Sequence, residues 1–177
     1  VMPGIDETRR FIPVNIAILT VSDTRTEADD KSGKVLLERV EKAGHRLAAY
    51  VILPDDKQKL VAKMKEWAAD LTVDVVLTTG GTGLTGRDVT PEAMQEVCEK
   101  EIPGFGELFR QLSFNLIGTS TIQSRAMGGV AGGTYFFAIP GSPGACKDAW
   151  DLILKDQLDN RYRPCNFVEI MPRLREQ

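Results

Sequence analysis

The sequence holds a single histidine, His45, among its 177 residues, which argues against imidazole catalysis and imidazole-based metal binding. It follows Gly44 at an expected helix end and reads as a surface residue. Cysteine is sparse too: Cys98, Cys146 and Cys165 are 3 in number, odd, and without CxxC spacing. That argues against a disulfide framework or a zinc site, and for a reducing cytoplasm where all three pack as small apolar side chains. No apolar run approaches the roughly 20 residues of a bilayer span. The opening VMPGIDETRRF lacks the basic-then-apolar layout of a secretory leader. A formal net charge of −3 provides no global positive field for nucleic acid. Anionic ligands must then be held by local amides and individually placed Arg or Lys residues.

What is present describes an ordinary folded chain. The apolar fraction of 42% and charged fraction of 27% suit one domain with a sizeable core. Val14–Val21 (VNIAILTV) reads as a buried parallel strand, Leu47–Leu53 as the next, Val73–Thr79 as a third and Tyr135–Ile139 as a fourth. Between them lie helical patterns: Gly33–Ala43 with Val35, Leu36 and Val40 inward, then Lys57–Leu71 with Leu60, Met64, Trp67, Ala68 and Leu71 on one face. A helix follows Thr90 and Pro91, and another runs from the Pro140–Gly144 turn to about Leu158. The stretch from Ile102 to Gly133 is less regular, with a helix expected over Phe105–Asn115 and loop-like structure after it. Alternating strands and helices predict a doubly wound, mostly parallel sheet between two helical layers. Residues 1–13 read as an extension, 14–159 as the α/β domain, and 160–177 as an arm.

The most informative segment is Thr78–Glu92, TTGGTGLTGRDVTPE. Its glycines remove side chains that would keep backbone N–H groups away from an anion. The loop stands where an α/β protein receives phosphate, at a strand's carboxyl end before a helix. It is neither a P-loop nor GxGxxG, since no Gly-Lys-Ser/Thr follows and the spacing differs. Asp88 in the same loop is an acceptor unsuited to phosphate itself, so amides plus carboxylate suggest a phosphorylated ligand held with a metal cation. The other strand ends carry polar turns as well: Ser22-Asp23, Asp55-Asp56, and Pro140-Gly141-Ser142-Pro143-Gly144. In a parallel sheet these loops share one rim, which predicts a site there. Either Asp55 or Asp56 is also suited to cap the helix beginning near Lys57.

Four separated motifs extend this reading: TTGGTGLTGRDVTPEA, IPGFGE (Ile102–Glu107), QSRA (Gln123–Ala126) and IPGSPGAC (Ile139–Cys146). Together they resemble the MoaB/MogA family of molybdopterin-binding, adenylyltransferase-type proteins of molybdenum cofactor biosynthesis. GTSTIQSRA (Gly118–Ala126) and RPCNF (Arg163–Phe167) are similar to its protein B branch. The resemblance implies a three-layer α/β/α fold assembled as homotrimers or homohexamers. It implies transfer of AMP from Mg²⁺-ATP onto the terminal phosphate of molybdopterin, with the molybdenum-insertion enzyme as a further partner. Asp88 and Asp55 would be the catalytic, metal-holding carboxylates. Gly80, Gly81, Thr82 and Gly83 would form the nucleotide loop, with Pro140, Gly141 and Ser142 also at the ligand. Ser124, Arg125, Ser22 and Asp23 would lie on the pterin side, and Arg87 or Arg125 would add a bidentate phosphate contact. A pterin-binding carrier, an oligomeric scaffold and a competence-damage-like pyrophosphatase are the rival functions on this fold.

Overall fold

The computed structural model describes residues 2–177. Outside the main sheet lies a two-residue strand, β1 (Gly4–Ile5). The six-stranded mixed sheet runs in the order Arg46–Leu53, Asn15–Val21, Val75–Thr79, Thr134–Ile139, Met127–Ala131, Lys100–Ile102. Its parallel part comprises β2 (Asn15–Val21), β3 (Arg46–Leu53), β4 (Val75–Thr79) and β7 (Thr134–Ile139). Two strands that sequence periodicity does not reveal complete it: β5 (Lys100–Ile102) and β6 (Met127–Ala131), with β6 antiparallel to both β5 and β7. The stretch expected as loop after the Phe105 helix therefore contains a strand, β6, which joins β7 to the edge strand β5.

Both faces of the central strands are apolar, as a sheet covered on two sides requires. Ile16, Ile18, Val75, Leu77, Tyr135 and Phe137 face one core layer, under α1 (Lys31–Lys42), α4 (Pro103–Ile117) and α5 (Pro143–Ala149). Ala17, Leu19, Val76, Phe136 and Ala138 face the other, under α2 (Lys57–Ala69) and α3 (Thr90–Val97). Leu60, Met64 and Trp67 anchor α2, each contributing about 1.5–3 kcal/mol of burial. Leu71 does not join them: α2 ends at Ala69 and Leu71 is 77% exposed. The helix begun by α5 continues through a widened π turn at Trp150–Leu154. Cys146, Ala149, Trp150, Ile153 and Leu154 are all buried along it.

Two expectations are overturned. His45 is buried rather than on the surface, at 7% exposure, between the rings of Phe11 and Trp150. Its Nδ1 accepts the Val14 N–H at 3.1 Å, and burial pushes its pKa down to about 4. Of the cysteines, only Cys146 is fully buried; Cys98 is partly covered and Cys165 is exposed.

The chain ends meet on the body. Gly4–Ile5 pairs antiparallel with Tyr162–Arg163. The Asn160 side chain bridges the Arg10 carbonyl and the Ile12 N–H, both at 2.8 Å. Tyr135 donates its hydroxyl to the Phe167 carbonyl, and Val168 joins the first core layer.

Candidate active site

Strands β2, β4 and β7 run parallel and end together, so the loops that follow them converge on one rim. They surround a cavity of about 660 Å³. Its lining includes Ser22, Asp55, Gly80, Gly81, Thr82, Gly83, Asp88, Ser124, Pro140, Gly141 and Ser142. Asp23 and Arg125, also expected at the site, do not line it. The Asp23 carboxylate is held by the Arg87 guanidinium at 2.7 and 3.1 Å and accepts the Asp55 N–H at 3.0 Å. Arg125 lies behind the glycine loop.

Close backbone approach explains the first two glycines. Gly80 adopts φ +102°, and a Cβ there would stand 2.2 Å from the Val21 carbonyl oxygen. Gly81 has φ +72°, and its Cβ would meet Thr90 Oγ1 at 2.3 Å and Asp55 Oδ1 at 3.2 Å. L side chains rarely adopt such φ values, so the loop seats against β2 and α3 only with glycine at these positions.

The Pro54-Asp55-Asp56 turn divides its carboxylates between structure and site. Asp56 is the N-cap of α2, accepting the Lys59 N–H at 3.1 Å. Asp55 is the one that lines the cavity. Burial raises its pKa above the ordinary carboxylate value, and the negative charges of Asp23 and Asp88 raise it further. Asp88 behaves differently. Burial opposes its ionisation, but hydrogen bonds from Thr85 and the Gly83 N–H outweigh it and hold its pKa low. Its Oδ2 accepts from the Thr85 N–H at 2.9 Å and the Thr85 hydroxyl at 2.7 Å, so Asp88 also shapes the loop.

The serines are partly committed to the backbone. Ser142 caps α5 by accepting the Ala145 N–H at 3.1 Å. Ser22 Oγ accepts from the Thr24 and Arg25 N–H groups, and Ser124 Oγ accepts from the Ala126 N–H. Cys146 donates its thiol to Thr79 Oγ1 at 3.2 Å, and burial pushes its pKa up to about 12, so it supplies no thiolate.

Sequence reasoning missed Asp30. It is 1% exposed, borders the cavity, caps α1 through the Gly33 N–H, and accepts hydroxyl hydrogen bonds from Thr20 and Tyr50. The legible signal was an Asp a few residues upstream of the expected helix, at the position that directly precedes the observed start of α1 at Lys31. Phe109, Ser113 and Thr121, from the irregular stretch, form another wall.

Residues 17–160 match the family described as a probable molybdopterin binding domain. Over 157 residues the chain is 52% identical to molybdenum cofactor biosynthesis protein B of Escherichia coli (strain K12), spanning 89% of this chain and 92% of that protein. The chain belongs to this family. A crystal structure of molybdenum cofactor biosynthesis protein B superposes with a TM-score of 0.85 at 42% identity, over 96% of this chain and all of that one. The tungsten cofactor synthesizing protein MoaB of Pyrococcus furiosus superposes with a TM-score of 0.76 at 34% identity, over 93% of this chain and 98% of that one. The matched span of residues 17–160 takes in the whole glycine loop together with Asp55 and Asp88.

Proposed function

We propose that this chain acts in molybdenum cofactor biosynthesis as a Mg²⁺-ATP-dependent molybdopterin adenylyltransferase. One observation carries the reading: two carboxylates from separate loops, Asp55 and Asp88, border the same cavity as a glycine loop. The likeness to protein B supports molybdopterin as the acceptor.

The donor set fits a magnesium ion. Among the described residues no group of three or more His, Cys, Asp or Glu side chains is placed to hold a metal alone. Mg²⁺ is commonly bound by one or two carboxylates plus waters and substrate phosphates. Burial first, and then the negative charges of Asp23 and Asp88, raise the Asp55 pKa, and a cation there would relieve the repulsive part. Asp88 and Asp55 would hold the ion. When bound, it supplies charge neutralisation for the departing pyrophosphate.

The reaction joins an oxygen of molybdopterin's terminal phosphate to the α-phosphorus of ATP. The bond from that phosphorus to the bridging oxygen breaks, and pyrophosphate leaves with the electron pair. The attacking phosphate is already ionised at neutral pH, so no side-chain base is needed and the buried His45 has no part. The protein's task is to hold two anions in line within reach of one another. The Gly80 N–H is spent on the Ile139 carbonyl at 3.0 Å and the Gly83 N–H on Asp88. The amides of Gly81 and Thr82 are therefore the ones that contact phosphate oxygens and stabilise charge that develops in the transition state. Arg87, on the exposed side of the loop, exchanges Asp23 for phosphate as the nucleotide enters.

Exposed Phe114, Leu116, Ile117 and Ile122, around the end of α4, fit assembly into homotrimers or homohexamers, which light scattering on the purified chain tests. The enzymatic proposal is tested by pyrophosphate release from Mg²⁺-ATP. Release that requires molybdopterin is expected. Pterin binding without release would make the chain a carrier.

A further inference from the structure

An anion-binding loop needs its N–H groups free and its carbonyl oxygens turned elsewhere, because carbonyl dipoles repel phosphate. Here the Gly81 and Thr82 N–H groups have no partner among the described residues, whereas the Gly80 N–H meets the Ile139 carbonyl and the Gly83 N–H meets Asp88. The carbonyls have identifiable partners. Thr90 takes the first half of the loop: its hydroxyl donates to the Gly80 carbonyl at 2.8 Å and its N–H to the Gly81 carbonyl at 3.1 Å. Arg125 takes the rest. Its N–H donates to the Thr82 carbonyl at 3.1 Å, its Nε to the Gly83 carbonyl at 2.8 Å, and its Nη2 to the Asp88 carbonyl at 2.9 Å. Nη1 is engaged by the Glu92 carboxylate in the first turn of α3. Thr82, Gly83 and Asp88 border the cavity, and Arg125 does not.

We propose that Arg125 is a positioning residue: braced by Glu92, its guanidinium holds the carbonyls of Gly83 and Asp88 away from the cavity and so presents the loop to the nucleotide's phosphates. The inference deepens the adenylyl-transfer reading and rests on it for the identity of the anion. Only a guanidinium serves, because its planar fork reaches two carbonyls and a carboxylate at once, whereas lysine offers one compact ammonium. A direct phosphate contact by Arg125 makes opposite predictions. It would survive in part as lysine, and it would strengthen once Glu92 stopped competing for the guanidinium.

The test compares wild type, Arg125→Lys and Glu92→Gln by calorimetric titration with Mg²⁺-ATP and by amide hydrogen exchange of the nucleotide-free protein. Positioning predicts that Arg125→Lys weakens ATP about 10-fold or more and Glu92→Gln several-fold, about 10-fold corresponding to 1.4 kcal/mol. Exchange should quicken between Gly80 and Asp88 in both variants while β2 and β7 keep wild-type rates, which also shows that the fold is retained. Tighter ATP binding in Glu92→Gln, or wild-type exchange across the loop in Arg125→Lys, overturns the proposal. Should wild type bind no ATP, the adenylyl-transfer reading fails, and the exchange data still decide whether Arg125 fixes the loop.

Discussion

The two ends of the parallel strands treat polar groups in opposite ways. At the amino ends several polar groups are spent inside the chain. Val14 N–H meets His45, Asn15 N–H meets Asp74 at 2.8 Å, and the Thr134 hydroxyl meets the Val73 carbonyl at 3.0 Å. At the carboxyl ends, Asp55 is left bordering a cavity with its pKa raised by burial and by its acidic neighbours. A polar group satisfied by its own backbone and away from the cavity reports on folding. One held near like charges and open to a cavity reports on a ligand. Asp88, bonded to Thr85 yet bordering the cavity, stands between the two classes. The contrast predicts that substitutions at one rim change stability and at the other change chemistry.

The largest effect is expected at the carboxyl rim. Asp88→Asn keeps an acceptor for Thr85 but loses the charge, and should lower adenylyl transfer by about 100-fold or more, as for loss of a metal ligand. Its melting temperature should stay close to that of wild type. A large fall in melting temperature would move Asp88 to the structural side of the comparison.

At the amino rim, His45→Leu should leave the ATP dissociation constant unchanged and cost about 1–3 kcal/mol by stranding the buried Val14 N–H. His45 also sets a pH dependence. Its pKa falls from 6.5 to about 4 on folding, so below 6.5 the unfolded chain takes up a proton that the folded protein refuses. The stabilisation is complete above pH 6.5 and is lost as pH falls towards about 4. Denaturant titrations across that window should show the decline in wild type and a flatter profile in the leucine variant.

The smallest effect has the opposite sign. Asp55 has a raised pKa, so its ionised form costs the fold stability at neutral pH, and that cost fades as acid protonates it. Asp55→Asn should therefore raise the melting temperature at pH 7 by on the order of 1–2 °C, with the gain vanishing in the acidic range, while transfer activity falls. An Asp55→Asn protein that is no more stable at pH 7 would show that burial and repulsion at Asp55 are too weak to matter.

The sequence carried the parallel half of the fold because its strands are apolar on both faces and each is followed by a polar or glycine-rich turn. It did not carry β5 and β6. Met127–Ala131 is MGGVA, whose glycines look like loop, and Lys100–Ile102 is too short for a period to show. Four polar or glycine-rich loops marked the rim, yet the roles within it depend on contacts between distant segments. The choice between Asp55 and Asp56 turned on which one caps α2. His45 looked superficial beside Gly44, and its burial comes from Phe11 and Trp150, remote in sequence. Arg125 resembled a ligand contact because nothing local reveals that its donors end on Gly83 and Asp88, 42 and 37 positions away.

The most direct test of the central claim is pyrophosphate release from Mg²⁺-ATP, with and without molybdopterin, for wild type and Asp88→Ala side by side. Release that requires the pterin and collapses in the variant is the predicted result. No pterin-dependent release from wild type, or undiminished release from Asp88→Ala, would contradict the assignment of this rim as an adenylyl-transfer site.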